Sequence, residues 1–349
     1  MRVVVTGATG NVGSAVVRAL VEDDEIDEVV GVARRPPPPR PDGVAWFAAD
    51  VGRDDLAVAL THADAVIHLA WLFQPTHDRR TTWQANVLGT LRVFAAAAAA
   101  GVRTFVHASS VGTYAPAVDD RPVDESWPTH PLPVAAYGLE KAYLERAFDA
   151  LELLHPEVRI VRMRPAFIFQ TAAATSQRRI FLGPLFPGAL LERGRLPVLP
   201  DIDGLRFQAV HSDDVAEAYR RALHVPVRGA LNLADREVVR MADVASLLDT
   251  RTVTVPTAAV RAATAAAWHL HLLPVPVGLL DLFLSLPLLD PTRAEAELGW
   301  HPKVRSIDAL SETIEGMRTG ADGATPALAA STSGPLRMGE ILSGVGQWP

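Results

Sequence analysis

The sequence contains no cysteine, which excludes disulfides, thiolate metal sites and a cysteine nucleophile, and fits a reducing compartment. No run of five or more basic residues occurs. Acidic side chains outnumber basic ones by 40 to 33, a formal net charge of −7, so the electrostatic footprint of a nucleic-acid binder is missing. A secretory leader is missing too: Met1-Arg2-Val3-Val4-Val5 breaks off at Thr6-Gly7, and the cytoplasm is the expected location. The most apolar stretch, Trp268–Leu289, is interrupted by Pro274, Pro276 and Asp281, which leaves it short of the ~20 uninterrupted apolar residues of a membrane span. No spacing of histidines and carboxylates suggests a metal site, and there is no internal repeat. What remains is globular: 349 residues, 49% apolar and 21% charged, enough for a sizeable core and for two units of roughly 100–200 residues.

Apolar β-branched runs alternate with helical periodicity along the first half. Val3–Val5, Val29–Ala33, Phe47–Ala49, Val66–Ala70, Thr104–Ala108 and Val158–Met163 read as strands. Val12, Val16, Val17, Leu20 and Val21 mark a first helix, Asp54–Leu60 a short one, and Trp83–Ala100 and Tyr137–Leu153 two long ones. Ala95–Ala100 reads as a closely packed helix face, and Pro36–Pro39 as a stiff surface loop. After Arg164 the rhythm changes. Helices are expected at Asp213–Leu223, Ala258–Leu272, Val277–Leu286, Pro291–Leu298 and Ser306–Met317, with a strand at Ala230–Leu233.

Gly7-x-x-Gly10-x-x-Gly13 stands between the first strand and the first helix. That is where a dinucleotide's diphosphate is held: glycines allow a tight turn and close backbone approach, and the helix start offers free amides. The whole pattern predicts an α/β chain, a Rossmann-type doubly wound parallel sheet with a smaller, mostly helical C-terminal substrate region. Residues 1–165 would form the nucleotide domain, with about 205–235 returning to it. Residues 166–318 would form the substrate region and 319–349 a weakly ordered tail.

Further motifs arrive in order: Asp50-Val51 after the third strand, His68-Leu69-Ala70, Asn86-Val87-Leu88-Gly89-Thr90, Ser109-Ser110-Val111-Gly112-Thr113-Tyr114, Tyr137-Gly138-Leu139-Glu140-Lys141, Arg162–Pro165, His211–Ala216 and Leu298–Pro302. With the glycine spacing they resemble the extended, epimerase/dehydratase-like branch of the short-chain dehydrogenase/reductase superfamily, from residue 1 to about 317. Trp71 departs from it, standing where the family has a small residue. The resemblance implies an NAD(P)(H) cofactor held by Gly7, Thr9, Gly10, Asn11, Val12, Gly13, Asp50, Val51, Leu69 and Ala70, with Tyr137 and Lys141 at its nicotinamide end and Asn86 in support. It also implies a homodimer, through pairing of the two long helices between subunits.

Where a carboxylate would bind a ribose 2′-OH, the second strand ends in Ala33, then Arg34 and Arg35. Two guanidiniums suit a 2′-phosphate, so NADP(H) is favoured and NAD(H) is the alternative. Tyr137 and Lys141, four residues apart on a helix, share a face, and a nearby ammonium is expected to lower a phenol's pKa from about 10. Tyr137 would then exchange a proton with a substrate oxygen, and Ser110 would hydrogen-bond the same oxygen. Ser110 is preferred over Ser109 because it precedes Tyr114 by four residues, as the family's serine precedes its own aromatic. His68 and His107 read as packed strand residues, Ser212 or Asp213 as the cap of the helix after His211, and Asp124-Glu125 as a solvated loop.

Phe167-Ile168-Phe169, Ile180-Phe181-Leu182 and Trp268–Leu289 suggest an apolar pocket. Phe167 lies where nucleotide-sugar members of the family commonly carry asparagine. The expected activity is therefore oxidation or reduction of a carbonyl/alcohol pair on an apolar small molecule. The alternative is a nucleotide-sugar epimerase or dehydratase that recycles its cofactor. A cofactor-sensing module without chemistry is a third reading, against which the retention of Tyr137 and Lys141 argues.

Overall fold

A computed structural model describes the chain except residues 39–40, 74–75, 184, 331–337 and 343–349. Seven strands form the central sheet: β1 (Arg2–Thr6), β2 (Glu28–Ala33), β3 (Val44–Ala48), β4 (Ala65–His68), β5 (Thr104–Ala108), β6 (Arg159–Pro165) and β7 (Gly229–Leu233). Their order is β7-β6-β5-β4-β1-β2-β3, and every pairing is parallel. The chain winds one way from β1 through β2 to β3 and the other way from β4. A crevice therefore opens at the strand ends between β1 and β4, where such sheets bind ligands.

Both faces of the sheet are covered, so its strands read as unbroken apolar runs. Val3, Val5 and Ile67 point to a core completed by helices α1 (Asn11–Val21) and Ser212–His224. Val4, Val66 and Phe105 point the other way, onto Val93 and Phe94 of α2 (Gly89–Ala99) and Leu144 and Phe148 of α3 (Ala136–Leu154). Fully burying one such phenylalanine contributes about 1.5–3 kcal/mol.

The long helix expected over Trp83–Ala100 is composite. An α-turn at Arg79–Thr82 leads into a π-helical segment, Trp83–Leu88, before α2. The wide turn carries Asn86, as such bulges often carry site residues. Of the Ala95–Ala100 run only Ala97 is buried, so it is not a closely packed face throughout. The Asp54–Leu60 helix shrinks to Ala57–Leu60, because the Asp55 carboxylate accepts the Ala57 amide at 2.9 Å. His211, not Ser212 or Asp213, caps Ser212–His224: its Nδ1 accepts the Asp213 amide at 3.2 Å. Pro37 turns inward and Pro38 outward, while Pro39 lies outside the described residues.

The C-terminal segment behaves differently from a loose tail as far as Ala330. The Ala321 carbonyl accepts from Thr175, at 3.2 Å from its amide and 2.6 Å from Oγ1. Leu328 is buried, and Thr325 Oγ1 donates to the Thr9 carbonyl at 2.6 Å. Among the described residues no helix is long and apolar enough to cross a membrane, and no group of three or more histidines and carboxylates could hold a metal.

Candidate dinucleotide and catalytic site

The glycine loop is built by steric necessity at two of its three glycines. Gly7 has φ +70°, and a Cβ there would lie 2.6 Å from the Ala70 nitrogen; at Gly13 it would lie 2.1 Å from the Gly7 oxygen. Both positions exclude any side chain. Gly10 is the N-cap of α1 and offers no side-chain cap, while a Cβ on it would meet only the Gly7 oxygen, at 3.3 Å. The uncapped amides at the start of α1 thus face open space, with the helix dipole behind them, and fit a diphosphate. Val12 packs into the α1 core. The Asn11 side chain is occupied inside the protein: Oδ1 accepts from Gln170 Nε2 at 2.7 Å and Ser212 Oγ at 3.0 Å, and Nδ2 donates to the Ile168 carbonyl at 3.3 Å. These bonds couple the loop to the segment after β6.

A cavity of about 180 Å³ continues from Gly7, Thr9 and Gly10 past Ala33, Arg34, Asp50 and Val51 to Leu69 and Ala70. It is the glycine-loop end of the crevice. Asp50 Oδ1 accepts the Gly52 amide at 2.9 Å, which shapes the turn. Arg34 and Arg35 are exposed. Neither makes a hydrogen bond or ion pair among the described residues, and Arg34 alone of the two lines the cavity.

Ser110, Tyr137 and Lys141 converge at the other end. Ser110 follows β5 in extended backbone; its Oγ accepts the Gly112 amide at 3.0 Å, and it lies with the Tyr137 ring over Gly112. Ser109 turns away, its Oγ 2.5 Å from Glu145 Oε1. The Tyr137 ring lies on Gly112, where a Cβ would be 2.9 Å from its Cε1. Trp71 and Phe73 meet the ring edge-on at 6.0 and 5.1 Å. Lys141 Nζ donates to the Ala108 carbonyl at 2.6 Å and sits 3.3 Å from the Trp71 ring centroid, but 5.9 Å from that of Tyr137.

The electrostatics correct one expectation. Burial pushes the Tyr137 phenol up to about 12, against the opposing Ser110 hydrogen bond. No lowering by Lys141 enters, because its ammonium is directed at Ala108 and the Trp71 indole. Burial also drops Lys141 to about 7, although Glu140 and Glu145 oppose the fall. Near neutral pH, then, Tyr137 keeps its proton and Lys141 titrates.

Asn86 acts within the protein. Its Oδ1 accepts the Leu72 amide at 2.7 Å, and its Nδ2 donates to the Leu72 carbonyl at 3.1 Å and to Glu140 Oε2 at 2.8 Å. It pins the segment after β4 to α3. His68, between Thr6 Oγ1 at 2.7 Å and Thr90 Oγ1 at 2.9 Å, is pushed down to about 3 by burial and stays neutral. His107 is likewise buried, against Phe148.

Sequence reasoning missed the ionic keystone behind Lys141. Arg164 grips Glu145 with two hydrogen bonds, of 2.9 and 2.8 Å, and Arg162 adds one of 3.1 Å. Arg164 also donates to the Tyr114 hydroxyl at 2.8 Å, and Tyr114 donates to Asn232 at 2.7 Å. The network ties α3 to β6 and β7 and so aims the Tyr137–Lys141 turn. Its one sequence signal was a pair of arginines two apart in a strand, which share a face. Glu125 was missed as well: it is half-buried and accepts the Asn232 amide at 2.7 Å.

A cavity of about 320 Å³ has Ser110, Tyr137 and Lys141 on its floor and Phe167, Phe169, Ile180, Phe181, Leu282 and Phe283 in its walls. Phe167 packs edge-on against Phe207 and Phe283, both at 5.3 Å. Another cavity, of about 260 Å³, lies beside Tyr137 between Phe73, Val134, Glu140 and Trp268. Trp71 borders both of these and the cavity at the glycine-loop end.

The family profile described as "NAD dependent epimerase/dehydratase family" matches residues 3–234. The chain belongs to this family. It is 28% identical over 316 residues to an uncharacterized protein of Mycobacterium tuberculosis, covering 89% of this chain but only 29% of that protein's length. It is 28% identical over 334 residues to a UDP-glucose 4-epimerase of Mycolicibacterium smegmatis, covering 91% of this chain and 99% of that one. A 4-hydroxy-2-methyl-3-oxo-4-farnesyl-3,4-dihydroquinoline-1-oxide ketoreductase of Stigmatella aurantiaca is 33% identical over 182 residues, 48% of this chain and 51% of that one. Among solved structures, MoeE5 in complex with UDP-glucuronic acid and NAD aligns with TM-score 0.68 and 23% identity, over 92% of this chain and 100% of that one. A Thermotoga maritima UDP-glucose 4-epimerase with UDP-glucose gives 0.69 and 20%, over 92% and 99%.

Proposed function

We propose that the protein is an NADP(H)-dependent oxidoreductase that reduces a carbonyl on an apolar small molecule through Ser110, Tyr137 and Lys141. The observation that carries this reading is the aromatic and aliphatic wall over the Ser110–Tyr137 floor. Residues 1–165 and about 205–235 would hold the cofactor, with 166–318 closing the substrate side. The diphosphate would lie on the amides at the start of α1, and the adenosine would run toward Asp50 and Val51. Arg34, with Arg35 beside it, would pair with a 2′-phosphate; their lack of hydrogen-bond and ion-pair partners among the described residues supports that preference. When bound, the nicotinamide supplies the hydride.

The protein's own part is binding and proton control. Ser110 and Tyr137 both hydrogen-bond the substrate oxygen. Tyr137, protonated at neutral pH, gives its phenolic proton to that oxygen as negative charge develops there. The apolar walls exclude water, which strengthens both hydrogen bonds. The Stigmatella ketoreductase, named for a farnesyl-bearing substrate, supports a greasy carbonyl compound.

A second reading, interconversion of a nucleotide sugar with internal recycling of the cofactor, is favoured by the near full-length similarity to the UDP-glucose 4-epimerase. Incubation with NADPH and a panel of hydrophobic ketones, and separately with NAD and UDP-sugars, decides between them. Net loss of NADPH with a ketone supports the first reading; UDP-sugar conversion with no net dinucleotide change overturns it. The exposed Trp83, Leu88, Leu139 and Tyr143 side chains support a homodimer through the segments around α2 and α3, to be checked by sedimentation. The lack of cysteine supports a reducing, cytoplasmic setting.

A further inference from the structure

Lys141 offers little of itself to a ligand. One donor direction goes to Ala108, and the Trp71 ring, 3.3 Å away, covers the ammonium on the crevice side; the residue is 3% exposed. The indole also borders both the glycine-loop end and the catalytic end of the crevice. A dinucleotide joining those two ends runs through the position the indole holds.

What holds the indole is weak in one respect and firm in another. Its Nε1 is buried without a hydrogen-bond partner among the described residues, so no polar latch from them fixes the ring. The next residue, Leu72, is pinned at both amide and carbonyl by Asn86. The backbone therefore stays while the side chain is free to turn. The space to receive it adjoins it: the cavity of about 260 Å³ between Phe73, Val134, Glu140 and Trp268.

The geometry points to Trp71 as a gate. Its indole and the ribose of a dinucleotide are alternative occupants of one position, on the Lys141 ammonium, and binding swings the ring into the neighbouring cavity. This rests on the reading of the crevice as a dinucleotide site and adds to it an internal competitor that sets affinity. Trp71 is a positioning residue here, acting through Lys141.

The test is NADPH binding to the full chain, as wild type, Trp71→Phe and Trp71→Ala, by equilibrium titration and stopped flow. A cation–π contact on a desolvated ammonium corresponds to about tenfold in affinity. Trp71→Ala is therefore expected to bind NADPH roughly tenfold tighter than wild type, mostly through a faster association rate, with Trp71→Phe between. A second readout needs no dinucleotide. Lys141 and Lys303 are the lysines of the chain, and exposed Lys303 is the internal standard for amine labelling. Trp71→Ala should label faster at Lys141, and NADPH should suppress that labelling. Equal or weaker NADPH binding by Trp71→Ala, or labelling at the wild-type rate, overturns the gate. Absence of dinucleotide binding in all three proteins overturns the dinucleotide reading itself, and the gate with it.

Discussion

The two ends of the crevice are built on opposite principles. The glycine-loop end is backbone: its shape follows from glycines whose Cβ atoms would collide with the chain, and its cavity is lined by the glycine-loop backbone and the exposed Arg34. The Tyr137 end is side chain: a phenol and an amine are buried among aromatic rings and shifted by that burial, the phenol upward and the amine downward. The first end presents backbone groups whose chemistry packing leaves alone; the second has its chemistry set by packing. Substitutions at the two ends should therefore fail differently.

The largest separation is expected at Tyr137. Removing its hydroxyl in Tyr137→Phe should reduce turnover by roughly 10²–10⁴-fold and leave dinucleotide affinity within a factor of about two. Steady-state rates and equilibrium titration check both. Next comes the keystone: Arg164→Met leaves Glu145 buried without its principal partner, and should cost about 3–5 kcal/mol in urea unfolding. A smaller loss would mean that Arg162 suffices to hold α3.

Lys141→Met sharpens the contrast between activity and stability. The amine's folded value of about 7 lies below its unfolded one, so the unfolded chain binds more protons between about pH 7 and 10. Wild-type stability should therefore rise across that window, while Lys141→Met lacks the rise and melts at the same or a higher temperature at neutral pH. Scanning calorimetry against pH measures both, and turnover should be lost. At the other end, Arg34→Ala should weaken NADP(H) about tenfold, through one charge-assisted hydrogen-bonding group, and leave NAD(H) unchanged. The smallest effect belongs to the C-terminal segment: Thr325→Ala removes one hydrogen bond to the glycine loop, worth about 1 kcal/mol. It should hasten proteolysis after Gly320 with little change in melting temperature.

The same division decides how much could be read in advance. The sheet and the glycine loop follow from local rules, alternation and turn sterics, whereas the choice of Ser110 over Ser109 came from the family resemblance through its place four residues before Tyr114. The doubly wound order follows from them with few alternatives. The Tyr137 end depends on contacts that no spacing announces. Trp71 reaches Lys141 across 70 residues, Arg164 reaches Glu145 across 19, and Thr325 reaches Thr9 across 316. The direction of the Tyr137 shift was misread for this reason: proximity in a helix implies a charge effect, whereas desolvation outweighs it. The contacts of residues 321–328 carry no signal in their small, polar composition: they come from one buried leucine and from borrowed backbone acceptors.

The account turns on a proton from Tyr137 meeting a hydride from a dinucleotide seated on α1, at a carbonyl held in the aromatic pocket. Mass spectrometry of the product after turnover with deuterated NADPH and a hydrophobic ketone tests this directly. One deuterium on the new carbinol carbon, formed roughly 10²–10⁴-fold more slowly with Tyr137→Phe, is the expected result. An unlabelled product, or label transfer at the wild-type rate without the phenol, contradicts it.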